Sequence, residues 1–122
     1  MKSCVALLIL LGIPLLCATC LAWEKPLAGK ASYYTTAESR NLMANGKPLR
    51  DDLFTCASWF YPFGSTLEVT HGNRKVHVIV TDRGPNKRLV KQGRIVDLTI
   101  TAFEKLAPHE RGVIDVQVRR IK

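Results

Sequence analysis

Thr81-Asp82-Arg83-Gly84-Pro85 follows directly on Val76-His77-Val78-Ile79-Val80, and this junction decides how the chain folds and where it can carry chemistry. Val76, Val78 and Val80 fall on one face of an extended segment, and His77, Ile79 and Thr81 fall on the other. Gly84-Pro85 then stops the strand. Asp82 is therefore predicted at a strand end, where a rigid mount holds a side chain that stays open to a ligand. An aspartate there can also simply cap the turn through its own carboxylate. The pentapeptide alone leaves both readings open.

Outward from this junction the strand pattern repeats. Lys30 to Thr35 is rich in strand formers, Leu53 to Ala57 is a short apolar run, and Thr66 to Thr70 alternates. His71-Gly72-Asn73 predicts a tight hairpin into Lys75 to Thr81. Arg94 to Thr99 alternates again, and Val113 to Ile121 closes the chain with Ile114, Val116 and Val118 inward. One helix interrupts the series: Thr101 to Glu104 fits a capping box, and Pro108 stops the segment. Some six short strands with one or two short helices predict a mainly β fold, a small barrel. No repeat, low-complexity tract or internal linker interrupts it.

The chain has 122 residues. Lys2 is the only charge before Glu24, Val5 to Leu16 is almost continuously apolar, and Cys20-Leu21-Ala22 offers small residues to a signal peptidase. Residues 1–22 therefore read as a secretory signal peptide and 23–122 as one domain. An uncleaved anchor and lipidation at Cys17 or Cys20 are the competing readings, so any membrane attachment runs through the leader. Cys4, Cys17 and Cys20 all lie in that leader. Cys56 is left without a disulfide partner in the domain, so the fold must be held by its core. Without Lys2 the chain carries 17 basic and 10 acidic residues, a net of +7. That balance favours a polyanionic partner. Arg83, Lys87, Arg88, Lys91 and Arg94 cluster after Asp82 with no aromatic between them, so nothing supports single-stranded nucleic acid. A monomer without a nucleic-acid partner is expected.

Gly29-Lys30-Ala31-Ser32-Tyr33-Tyr34, Met43-Ala44-Asn45-Gly46, Phe54-Thr55-Cys56-Ala57, Pro62-Phe63-Gly64-Ser65, Thr81-Asp82-Arg83-Gly84-Pro85 and Arg94-Ile95-Val96-Asp97-Leu98-Thr99 occur in this order. With this order and spacing the chain resembles the RlpA (rare lipoprotein A) family, whose domain is a double-psi β-barrel, from about Gly29 to Ile121. Expansins share the barrel. The resemblance implies an exported protein, in the periplasm or cell envelope, that acts on peptidoglycan glycan strands. It implies an endolytic lytic transglycosylase that cleaves strands lacking peptide stems and closes an anhydro ring. In that chemistry one carboxylate serves as acid and then as base. Asp82 matches the family's catalytic aspartate. The acid step calls for a carboxyl kept protonated by burial or by a neighbouring carboxylate. Asp97, a lone charge in an apolar strand, is the neighbour expected to support it, although it can equally serve the fold by accepting backbone N–H groups.

Tyr34, Asn45, Ser58, Trp59 and Arg83 are the expected substrate-binding residues. Tyr34 and Trp59 would stack on sugar rings, and Arg83 would hold a substrate group, pair with Asp97 or stabilise the turn. Two positions depart from the family pattern: Lys47 stands where a glutamate is expected and Ser58 where a histidine is expected. Both replacements remove titratable helpers. They keep open an alternative, a non-catalytic wall-binding barrel akin to expansins. The three histidines, His71, His77 and His109, match no metal-site spacing, and no cofactor is expected. Cys56 reads as a buried small thiol. Glu38, Asp51, Asp52 and Glu68 read as solvent-facing.

Overall fold

The computed structural model describes residues 25–37 and 42–122. The expected leader, with Cys4, Cys17 and Cys20, and Glu38 lie outside the described residues. Among the described residues there are six strands: β1 (Leu27–Tyr34), β2 (Thr55–Ala57), β3 (Thr66–His71), β4 (Arg74–Asp82), β5 (Arg94–Thr99) and β6 (Ile114–Arg120). They close into a barrel in the order β1-β5-β2-β4-β3-β6, with β6 returning to β1. β1 runs parallel to β5 and β2 parallel to β4, while the other four pairs are antiparallel. Closure leaves no strand edge to be covered.

Alternation makes the core. Leu67 and Val69, Val76, Val78 and Val80, Val96 and Leu98, and Ile114, Val116 and Val118 all point inward and are buried. The hairpin forms as expected, with β3 and β4 joined through Gly72 at φ 61°, a left-handed conformation suited to glycine. Gly29 is required for a different reason. A Cβ there would lie 2.8 Å from Ile95 Cγ2 and 2.9 Å from the Gly93 carbonyl oxygen, because β1 meets β5 closely where their register shifts.

Two helical features differ from expectation. α2 (Ile100–Glu104) is capped by Thr99, not Thr101. Thr99 Oγ1 donates to the Leu53 carbonyl at 2.6 Å and accepts from Ala102 N–H at 3.4 Å. β5 thus runs straight into the helix, and the anchored threonine at the strand's last position becomes the cap. The basic stretch after Asp82 contains a single turn, α1 (Lys87–Lys91), capped by Asn86, whose Oδ1 accepts from Arg88 N–H at 2.9 Å. α2 places Phe103 at the end of the core, where Tyr33 tilts against it with ring centroids 5.0 Å apart.

Glu68 lies on the outer face as expected, but the partners it gathers cover most of it. Its carboxylate meets His77 Nε2 at 3.1 Å, Arg119 Nη2 at 2.9 Å and Lys75 Nζ at 3.8 Å. Those neighbours hold its carboxyl below the usual glutamate range, with the His77 hydrogen bond the largest cause. Asp51 accepts from the backbone and hydroxyl of Thr36, and Asp52 pairs with Arg50 at the surface.

Candidate active site

Ordinary alternation would send Asp82 into the core with Val76, Val78 and Val80. A bulge prevents this. Cys56 pairs with Val80, but the next residue, Ala57, pairs with Asp82, so Thr81 is the extra residue. The extra residue inverts the strand's parity and turns Asp82 onto the opposite face. Ala57 also pairs with Asp97 on its other side, and Asp97 pairs with Ser32. Ser32, Asp97, Ala57 and Asp82 therefore form one row across four neighbouring strands. Neighbouring strands lie about 4.8 Å apart, so the two aspartate backbones are separated by about 10 Å.

Asp82 is half-buried and held by three donors. Its Oδ1 accepts the N–H of Ala44 at 2.8 Å and that of Arg83 at 2.8 Å. Its Oδ2 accepts the Tyr34 hydroxyl at 3.1 Å. Tyr34 follows Ser32 on the same face of β1, which accounts for its reach into the row. Burial, and after it the Asp82 charge, push the Tyr34 hydroxyl's pKa well above the usual tyrosine value. Tyr34 thus remains a donor toward this carboxylate throughout the physiological range. Asp97 accepts from the Ser32 hydroxyl through Oδ1. Gly84 sits against Ala57 and the Asp97 carboxylate, since a Cβ there would lie 3.2 Å from Ala57 Cβ and 3.7 Å from Asp97 Oδ2.

The Met43-Ala44-Asn45-Gly46 stretch is a turn docked on the end of β4. Gly46 takes φ 88° and donates its N–H to the Met43 carbonyl at 2.9 Å. Asn45 N–H donates to the Thr81 carbonyl at 3.2 Å, and the Thr81 hydroxyl donates to Met43 Sδ at 3.3 Å. The docking of this turn brings Ala44 N–H to Asp82. Asn45 spends its side-chain oxygen within the turn, accepting Lys47 N–H at 3.0 Å. The Lys47 side chain is exposed.

Among the other expected substrate-binding residues, Trp59 is exposed and its Nε1 donates to the Pro85 carbonyl at 2.6 Å. Ser58 is only 1% exposed. Its Oγ accepts Phe60 N–H at 3.0 Å and its backbone N–H donates to the Asp82 carbonyl at 3.0 Å, so it builds the loop beside the site. Arg83 directs Nη1 to the Ser58 and Tyr61 carbonyls, each at 2.8 Å, and lies 4.0 Å over the Phe63 ring. Of the roles open to Arg83, turn stabilisation is the one its contacts display. Cys56 is buried, and burial pushes its thiol well above the usual cysteine value, which suits a core residue. His71 contacts the Asp115 carbonyl, His77 meets Glu68 and His109 meets Glu104, all away from the aspartate row. Among the described residues no group of three histidine, cysteine or acidic side chains fits a metal ion.

Sequence reasoning missed the two exposed phenylalanines beside Trp59, Phe60 and Phe63. Their one available signal is that residues 53–63 contain six leucine or aromatic residues outside three-residue β2: Leu53, Phe54, Trp59, Phe60, Tyr61 and Phe63.

Residues 27–118 match the family model described as lytic transglycolase, a double-psi β-barrel. The chain is 34% identical over 100 residues to the "Probable endolytic peptidoglycan transglycosylase RlpA" of Aquifex aeolicus, covering 80% of this chain and 42% of that protein. It is 33% identical over 95 residues to the endolytic peptidoglycan transglycosylase RlpA of Haemophilus influenzae, covering 76% of this chain and 32% of that protein. The chain thus spans less than half the length of these curated relatives. Among solved structures, Streptomyces papain inhibitor superimposes with a TM-score of 0.64 at 27% identity, covering 80% of this chain and 96% of that one. A Clavibacter michiganensis expansin in complex with cellohexaose superimposes with a TM-score of 0.61 at 19% identity, covering 80% of this chain and 51% of that one. The barrel order, the motif set and these matches agree, and the chain belongs to the RlpA family of double-psi β-barrel proteins.

Proposed function

We propose that this barrel is an endolytic lytic transglycosylase that cleaves peptide-free peptidoglycan strands, with Asp82 as acid and then base and Asp97 in support. The proposed protein is exported by the 1–22 leader and works as the 23–122 domain in the cell envelope. The observation that carries this reading is the bulge at Thr81, which turns Asp82 out of the core and into one row with Asp97. Oδ1 takes two backbone N–H groups whereas Oδ2 takes only the Tyr34 hydroxyl, so Oδ2 is the oxygen with room for the working proton. Protonated there, Asp82 gives its proton to the glycosidic oxygen as the bond from that oxygen to the anomeric carbon breaks. The sugar's own hydroxyl attacks the same carbon, and its proton passes to the Asp82 carboxylate. The products are an anhydro-ended strand and a strand with a free hydroxyl, and Asp82 ends protonated as it began. Tyr34 holds the carboxylate in place through both steps. Trp59 offers a sugar-stacking face, and Arg83 braces the loop that carries it.

The test is mass spectrometry of soluble products after the protein is incubated with peptide-free glycan strands, beside Asp82→Asn. Anhydro-ended fragments from the wild type alone are expected. Their absence after long incubation would overturn the enzyme reading. A second reading, a wall-binding barrel without turnover, is favoured by one observation: Ser58 is buried in a structural bond and Lys47 is an exposed cation at the helper positions. Under it, both proteins bind sacculi in a salt-sensitive manner and release nothing.

A further inference from the structure

The surface beside Asp82 joins two stretches of opposite character. Residues 53–67 carry no charged side chain, and their loop exposes Trp59 (42%), Phe60 (46%) and Phe63 (44%). Residues 83–96 carry five cations and no acid. Direct contacts bind the two together: Trp59 Nε1 to the Pro85 carbonyl at 2.6 Å, Arg83 over Phe63 at 4.0 Å, and Lys87 Nζ 4.7 Å from the centre of the Trp59 ring. An aromatic face attracts a cation without neutralising it. Lys87, Arg88 and Lys91 have no carboxylate at ion-pair distance among the described residues. A rigid indole with an unneutralised ammonium at its face calls for a ligand with an apolar ring surface and a carboxylate on the same unit.

We propose that Trp59 and Lys87 form a subsite for a carboxylate-bearing sugar, the sugar's C–H face lying on the aromatic loop and its carboxylate on the Lys87 ammonium. The inference rests on the peptidoglycan reading above and sharpens it. In a strand stripped of peptide, the lactyl carboxyl of every second sugar is free and anionic. With a stem attached, that carboxyl is a neutral amide. Lys87 thus selects peptide-free strands by charge, where a narrow groove would select them by bulk. The loop lies beside Asp82, since Ser58, one residue before Trp59, donates its N–H to the Asp82 carbonyl at 3.0 Å. That placement favours a glycan over an anionic bilayer as the occupant.

The experiment measures binding, so it does not depend on turnover. Calorimetric titration compares peptide-free glycan strands with the same strands after their carboxyls are converted to amides, for the wild type, Lys87→Gln and Lys87→Arg. The wild type is expected to prefer the free acid about fivefold, the scale of one exposed charge pair. Lys87→Gln removes the preference while keeping affinity for the amidated strand, and Lys87→Arg restores it. Equal binding of both strands by the wild type, or a preference that survives Lys87→Gln, overturns the subsite and leaves the peptidoglycan reading standing. No binding to either strand overturns both. Tighter, Lys87-dependent binding to phosphatidylglycerol vesicles than to either strand overturns the subsite in favour of a lipid surface.

Discussion

On the outer face of the β3–β4 hairpin, opposite charges meet. Glu68 gathers His77, Arg119 and Lys75, and beyond the hairpin turn Lys30 reaches Asp115 at 2.7 Å. At the other end of β4 the pattern reverses. Asp82 is held by two backbone N–H groups and a tyrosine hydroxyl, while Arg83 points at carbonyls and lies over Phe63, and Lys87 lies over Trp59. Charges that meet in pairs serve the fold and have little left for a ligand. Charges held by neutral dipoles and rings keep their field available to whatever binds. The same strand thus carries a structural end and the end to which the proposed chemistry is assigned.

That contrast breaks first at Asp82. Asp82→Asn keeps the shape and the backbone contacts to Oδ1 but cannot supply a proton, so the rate of anhydro-fragment release should fall by about 10³-fold or more. Its thermal midpoint should stay near that of the wild type, and a collapse of stability instead would mean that Asp82 serves the fold. At the structural end the order of effects inverts. Gly29→Ala forces a methyl against Ile95 and the Gly93 carbonyl and should cost about 1–3 kcal/mol in urea unfolding. The molecules that remain folded should keep normal turnover, and a loss of turnover per folded molecule would couple the two ends.

Smaller effects sharpen the comparison. Ser32→Ala deletes the hydroxyl that bonds Asp97 and should lower turnover by a factor equivalent to about 1–2 kcal/mol. If turnover is unchanged, Asp97 has no supporting role. Glu68→Gln should cost about 0.5–1 kcal/mol at neutral pH, the usual range for exposed pairs. Its pH dependence has a definite sign. Glu68 titrates below the ordinary glutamate value of 4.5 in the folded chain, so it stabilises the fold above that value and the contribution is lost as pH falls through the folded value. Wild type and Glu68→Gln should therefore converge in stability on acidification, and parallel curves would count against the network.

Much of the barrel was legible because its signals are local. The alternation of Val76, Val78 and Val80 and of Ile114, Val116 and Val118 states which face is core without any partner strand. The cap of α2 was misplaced by two residues, because only the fold reveals that Thr99 is anchored to Leu53. Ser58 and Arg83 illustrate the same gap at the site. Both lie where a substrate contact is reasonable, and both turn to carbonyls and N–H groups of the 58–61 loop, which needs those partners to stay folded.

By itself the sequence determined the strands, the hairpin, the closed β architecture and an aspartate at a strand end among an ordered set of motifs. The tertiary structure alone decided that this aspartate faces outward. Alternation is a property of one strand, whereas a bulge exists only relative to the strand beside it. Nothing in Val80-Thr81-Asp82 marks Thr81 as the extra residue. Pairing with Cys56 and Ala57 does, and through that pairing Asp82 and Asp97 come to share a row.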